Sequence, residues 1–425
     1  MIHLQKRPLL LSLLLGLAWS LPAASLEAAE PPGDWSQFLG PTRNGISAET
    51  GLLETWPAGG VKPVWRAKGG IGMSAVVVAA GKAVTMIQDE DSQLVIALDA
   101  KTGKPLWRSV VAPAFRNAMG NGPRATPAIV GGQVFTFSGE GILSALSLAD
   151  GKVAWSENCL KSESGKEADY GMACSPLVDD GKVIVTLGAQ SATVAAYDVK
   201  TGKQLWVAGK GDPAGYSSPA ILNVGGRRQL VVFSGRAAMG INPADGSLLW
   251  RYDFVTDYDC NIATPLAVDG KVFISAGENH GAALLSLAKS GGGFQVQPSW
   301  ESLGPGSVLR NEWQTSILLD GYLYGFDNVG GAGPISHLTC IEAATGKRAW
   351  QQIRFGKGNM IAADGKLFMT TVKGELVVVK ATPDRFQELG RQDVLESTRQ
   401  APTLSGGLLY VRDNNEILCL DVRKP

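Results

Sequence analysis

Beyond its first thirty residues the chain lacks any apolar run of the roughly 20 residues that a membrane-spanning helix needs. It lacks an excess of charge of either sign, with 39 basic against 39 acidic side chains. Phosphate binding needs a basic surface, so this balance argues against nucleic acid as a partner. Histidine is scarce, at 3 residues, and no HExxH occurs. The 5 cysteines form neither CxxC nor CxxCH, which leaves zinc and c-type haem without a ligand pattern. A Walker loop and a GxSxG elbow are also missing. Gly69-Gly-Ile-Gly72 precedes a strand pattern instead of opening a helix, which argues against a dinucleotide fingerprint. Glycine, by contrast, is abundant, at 53 of 425 residues, and follows no triplet period. Such a composition suits a compact protein with many turns.

The N-terminus reads as an address. Lys6 and Arg7 precede an apolar stretch over residues 9–21, followed by Ala23, Ala24 and Ser25. Charged, apolar and small residues in that order mark a secretory signal. We expect a signal over residues 1–25, an N-terminal arm over 26–57 and the folded domain over 58–425. A periplasmic or secreted monomer with no transmembrane segment after signal removal follows. Export permits disulfides, and Cys159 and Cys174, which bracket a polar loop, are the candidate pair.

Internal repetition carries the fold. Asp99-Ala-Lys-Thr-Gly-Lys-Pro-Leu-Trp107 returns as Asp198-Val-Lys-Thr-Gly-Lys-Gln-Leu-Trp206 and as Glu342-Ala-Ala-Thr-Gly-Lys-Arg-Ala-Trp350, with looser copies ending at Trp155, Trp250 and Trp300. The interval is about 50 residues, the size of a propeller blade. Within each unit, short β-rich runs alternate with Asp-Gly or Thr-Gly turns, where glycine accepts a positive φ without steric cost. First strands are expected to begin near Ser74, Ala125, Cys174, Ser217, Ala263, Thr315, Asn359 and Ala401. The last unit has no Trp strand, and Gly60-Val-Lys-Pro-Val-Trp65 at the other end of the chain supplies one. The expected fold is all-β: an eight-bladed β-propeller of four-stranded antiparallel blades, closed by an N-terminal strand that removes exposed sheet edges. The repeated Trp residues, Trp65 included, are expected between blades, where a large ring buries much area. Trp35, Phe38 and Leu39 of the arm are expected on the outside or across one face, with a plug as the alternative.

These D-x-x-T-G-K-x-x-W units resemble the pyrroloquinoline-quinone (PQQ) repeat of the eight-bladed quinoprotein alcohol dehydrogenase-like propellers. Trp35-Ser-Gln-Phe-Leu-Gly-Pro-Thr-Arg-Asn-Gly45, Gly122-Pro-Arg-Ala-Thr-Pro127 and Leu319-Asp-Gly-Tyr-Leu-Tyr-Gly-Phe326 are similar to exported PQQ-like, assembly-factor-like proteins. The kinship extends to BamB, the propeller lipoprotein of the outer-membrane assembly machine. The resemblance implies two trades, a binding scaffold in the cell envelope and a dehydrogenase using PQQ and Ca²⁺. Two departures matter: the adjacent cysteines of the quinoprotein dehydrogenases and the lipidated cysteine of the scaffold are both missing.

A site is expected where the interblade loops and the second-to-third strand loops ring the channel mouth. Arg124 and Arg399 precede first strands there and could hold a carboxylate or quinone oxygens in bidentate fashion. Trp313 is a candidate stacking floor, and Asn261 a further cofactor contact. Glu278, Asn279, Asp257 and Asp259 are candidate oxygen ligands for Ca²⁺. The leading expectation is a non-catalytic scaffold for a protein or polymer ligand. The alternative is a PQQ- and Ca²⁺-dependent oxidoreductase acting on an alcohol or sugar, with Asp257 or Asp259 taking the substrate proton.

Overall fold

Because each repeat alternates β-rich runs with glycine turns, each folds locally as one four-stranded antiparallel meander. The computed structural model describes Met1 and residues 33–425 apart from 331, 332 and 334, so the expected signal lies outside the described residues. In the third unit the strands are Leu177–Asp179, Lys182–Thr186, Val194–Asp198 and Gln204–Ala208. Asp180 and Gly181, both at positive φ, turn the first strand into the second. Eight such sheets form within the described residues. Seven of the innermost strands start two or three residues past the positions expected from sequence, from Val77–Ala79 in blade 1 to Thr403–Ser405 in blade 8, whereas that of blade 7, Gly358–Ala363, starts one residue before Asn359.

Blade 8 takes three strands from the C-terminus and its outermost from Pro63–Lys68, with Trp65 opposite Cys419 and Ala67 opposite Ile417. The chain ends are thus paired in one sheet, and the ring is closed by an N-terminal strand.

One contact recurs between blades. The Trp65 indole donates to the Ala100 carbonyl of the next blade at 3.0 Å. Trp107, Trp155, Trp300 and Trp350 donate in the same way to Leu148, Val199, Ala343 and Thr382. The turn glycine of the next blade lies under each ring except that of Trp350: a Cβ added at Gly103 would stand 2.6 Å from Trp65, and one at Gly151 2.5 Å from Trp107. Asp99 shapes that turn by accepting from the Lys101 and Thr102 amides and the Thr102 hydroxyl, bonds that hold its carboxyl below the ordinary range. The repeat motif is therefore an adhesive between blades, with Asp setting the turn, Gly leaving room and Trp filling it.

The exceptions have local causes. Trp250 turns to the Gln229 side chain in its own blade. Its neighbour, blade 5, replaces the short turn with a long hairpin, Gly281–Ser290 and Gly293–Leu303, whose Leu287 and Phe294 pack over blade 4. Trp206 stacks on Gly246, but its N–H has no partner among the described residues. Blade 7 has Gly390 at the Trp position, opposite Val378, and a Cβ there would meet Trp56 at 2.2 Å. The arm thus lends blade 7 the indole that its own sequence lacks.

The arm does more than lie across a face. It runs over the end of the channel opposite the interblade loops, bridging Trp35 to Val78, Ile46 to Ala362 and Leu52 to Arg423. Arg43, fully buried, donates to the carbonyls of Ser175 and Pro176 on blade 3. The segment plugs the channel from behind, and packing on the outside is corrected. Its partners lie far away in sequence, so no local pattern could announce them.

The Cys159–Cys174 bridge is also corrected: both thiols are free, as are the other three, and all five are buried. Cys174 instead accepts the Thr186 amide, and burial pushes the Cys159 thiol up to about 12. Reductant should therefore leave the melting temperature unchanged, and thiol reagents at pH 8 should label the protein only on unfolding. A shift in melting with reductant would contradict these free thiols. Gly103 and Gly81 have similar φ, 69° and 74°, but a Cβ at Gly81 meets nothing within 4 Å. Gly81→Ala should cost about 1–2 kcal/mol for the left-handed backbone, and Gly103→Ala a further ~1–3 kcal/mol for overpacking against Trp65. Urea denaturation of the two variants measures the difference.

Candidate functional site

The ring brings the starts of the inner strands together around one opening. Their hydroxyls stitch neighbouring blades: the Ala75 amide donates to Thr126 Oγ1, Thr126 to Ser175 Oγ, and Ser175 to Ser218 Oγ, at 2.9–3.0 Å. Across the ring the Thr264 amide donates to Thr315 Oγ1. This belt lines a cavity of about 180 Å³, whose apolar surface comes from Met73, Ala173, Ile262 and Ala401. The arm's Phe38 reaches it from behind. The mouth is therefore a blind cup with Phe38 as its floor.

Three of the residues singled out from sequence meet at this cup: Arg124, Trp313 and Arg399. Arg124 is spent on its own loops. Its guanidinium donates to the carbonyls of Tyr170 (2.7 Å), Gly120 (2.6 Å) and Gly122, and lies 4.4 Å over the Phe115 ring. Burial pulls it down to about 10, opposed by Glu140 and aided by Arg399, so it stays charged at neutral pH. Arg399 is exposed and donates once, to the Met119 carbonyl at 2.8 Å. Trp313 carries Lys357 at 4.6 Å and Arg399 at 4.9 Å from its ring centre, so cations occupy the stacking surface. Lys357 pairs with Glu312 at 2.5 Å, and burial holds the Glu312 carboxyl above its ordinary range despite that cation.

The other candidates are placed elsewhere. Asn261 is fully buried, donating to the Ser234 and Phe254 carbonyls and accepting from Thr256, so it shapes a loop and cannot reach a ligand. Among the described residues no three His, Cys, Asp or Glu side chains gather as metal ligands. Asp259 faces Arg236 at 3.8 Å, and Asn279 accepts the Gly330 amide. Glu278 is held above the ordinary carboxyl range, chiefly by burial. The expected Ca²⁺ set is thus scattered over loop turns, where Tyr258, Asp259, Glu278 and Asn279 all take positive φ.

PQQ does not fit this site as it stands. An enclosed apolar cavity near 150 Å³ holds one benzene ring, so this cup, at about 180 Å³, encloses about one ring above Phe38, and the rest of a three-ring quinone would stand out into the mouth. The Arg124 nitrogens are committed, and the Trp313 ring is covered. Sequence reasoning missed Phe38 as a floor and the Ser/Thr belt. The belt did carry a signal, a small hydroxyl residue one or two places before most inner strands.

The family model described as outer membrane protein assembly factor BamB matches residues 56–162, 91–352 and 334–424, and the chain belongs to that family of PQQ-repeat propellers. A quinohemoprotein alcohol dehydrogenase, ADH IIB of Pseudomonas putida, is 33% identical over 129 residues, covering 28% of this chain but only 18% of that protein. The outer membrane protein assembly factor BamB of Moranella endobia is 27% identical over 274 residues, covering 62% of this chain and 64% of its own length. In structure, the quinohemoprotein alcohol dehydrogenase of Comamonas testosteroni superposes with a TM-score of 0.68 at 15% identity, over 94% of this chain and 82% of that one. That likeness shows the fold alone.

The two arginines should separate in mutagenesis. Arg124→Gln removes charged bonds to three carbonyls and should destabilise by about 1.5–3 kcal/mol in urea denaturation. Arg399→Gln, exposed with one such bond, should stay within about 0.5 kcal/mol of the parent.

Proposed function

We propose that this family member is an exported, non-catalytic scaffold of the cell envelope. It docks a protein or polymer partner on its loop-rich face and works as a monomer. One observation carries the reading: apolar side chains stand exposed on the loops around the mouth, among them Met119, Val255, Tyr258, Ile335 and Ile353, with Tyr258 70% and Ile353 62% exposed. Outermost strands also expose apolar side chains, such as Val110 and Leu248, but these loop residues share one face, and exposed apolar groups that share a face mark an interaction surface. Tyr258 and Asp259 are held at positive φ, which keeps that loop turned out at a conformational cost. The opposite end of the ring is covered by the protein's own arm, leaving the loop face for a partner. The signal-like order of residues 1–25 and the assembly role named for the outer-membrane relatives support the envelope as the place of action.

The test uses a photo-crosslinking amino acid. Placed at Tyr258 it should capture a discrete envelope partner, and placed at Gly132, in a turn at the opposite end of blade 2, it should not. Val255→Asp combined with Ile353→Asp should cut the capture at least fivefold. Purified protein titrated with micromolar PQQ and Ca²⁺ should show neither a change in the quinone absorbance nor dye-linked alcohol oxidation. Cofactor-dependent oxidation would establish the dehydrogenase reading in place of the scaffold.

A further inference from the structure

The cup and the quinone disagree in size, and the disagreement is informative. The cavity is apolar over most of its wall, closed behind by Phe38 and open toward the loop face. Its volume, about 180 Å³, is that of one six-membered ring with a short side arm. An apolar enclosure alone would accept any small hydrocarbon, so its polar groups decide what enters.

Those groups are unevenly committed. Arg124 has a carbonyl on each guanidinium nitrogen. Arg399 uses one nitrogen, on Met119, and among the described residues forms no ion pair. The acid that feels its charge, Glu312, is already held by Lys357. The ring of Trp313 supports the Arg399 guanidinium from one side, which orients the remaining donors. A guanidinium with open donors beside an apolar cup pairs best with a carboxylate.

We propose that the cup binds a small carboxylate carrying a single ring, the ring over Phe38 and the carboxylate on Arg399. The ligand is too small to be a quinone of the PQQ type, and the arm is the reason: Phe38 raises the floor. This site lies beneath the docking rim and is independent of whether the rim holds a protein.

Calorimetric titration of the full mature chain with 3-phenylpropanoate, and with 3-phenylpropan-1-ol as the uncharged match, tests the assignment. We expect one saturable site for the acid and at least tenfold weaker binding of the alcohol. Arg399→Gln, verified as folded by its melting curve, should weaken the acid at least tenfold and leave the alcohol unchanged. Phe38→Trp, which fills the cup without touching the rim, should abolish both. Equal binding of acid and alcohol, unchanged affinity in Arg399→Gln, or no binding of the acid by the parent would each overturn the proposal. Crosslinking through Tyr258 reads the rim separately, so a failure of the cup leaves the scaffold reading to its own test.

Discussion

The whole ring depends on an indole set against the turn glycine of the next blade, with its N–H on that blade's backbone carbonyl. The contact joins Trp65 to Gly103 and Ala100, and Trp155 to Gly202 and Val199. A sheet of four short strands cannot bury both faces alone, so each blade is stable only against its neighbours. A large ring in that seam removes much apolar area from water while keeping its one donor satisfied. Where the turn is lost, at blade 5, Trp250 finds a different acceptor. Where the Trp is lost, at Gly390, the arm supplies Trp56 instead. Both substitutions preserve a filled seam, the quantity the ring needs.

Closure then decides what the centre can be. With the inner strands held by hydroxyl bonds from blade to blade, the channel has a rigid wall and two different ends. The arm occupies one end, tied by Arg43 to the Ser175 and Pro176 carbonyls. Removing a buried guanidinium whose terminal nitrogens hold carbonyls is costly, because it leaves those acceptors bare in the interior. The other end keeps its loops free, and there the exposed apolar side chains and the cup share one face. A propeller wall thus serves as a frame, and function rests with loops and arm.

Much of the site was legible because position within a repeat is also position around a ring. Arg124 and Arg399 precede inner strands, and the ring necessarily brings such residues to the mouth. Their duties were not legible. Arg124 is consumed by loop carbonyls that no motif marks, whereas Arg399 keeps donors open. Asn261 shares their place in the repeat, yet its amide is drawn inward to the Ser234 and Phe254 carbonyls. Glu278, Asn279, Asp257 and Asp259 read as a ligand set because they cluster in two loops, but among the described residues no three acidic, histidine or cysteine side chains gather where they could hold a metal.

By itself the sequence determined the number of blades, their four-stranded build and the joining of the chain ends, because the motif that repeats is the motif that glues. Local patterning of strands and turns encodes such properties directly. Tertiary structure alone decided the path of the arm, the depth of the cup and the choice of free cation. Each rests on contacts between residues far apart in the chain, as when Phe38 reaches a cavity shared with Arg399. No periodicity records such a meeting. It exists only once the ring has closed.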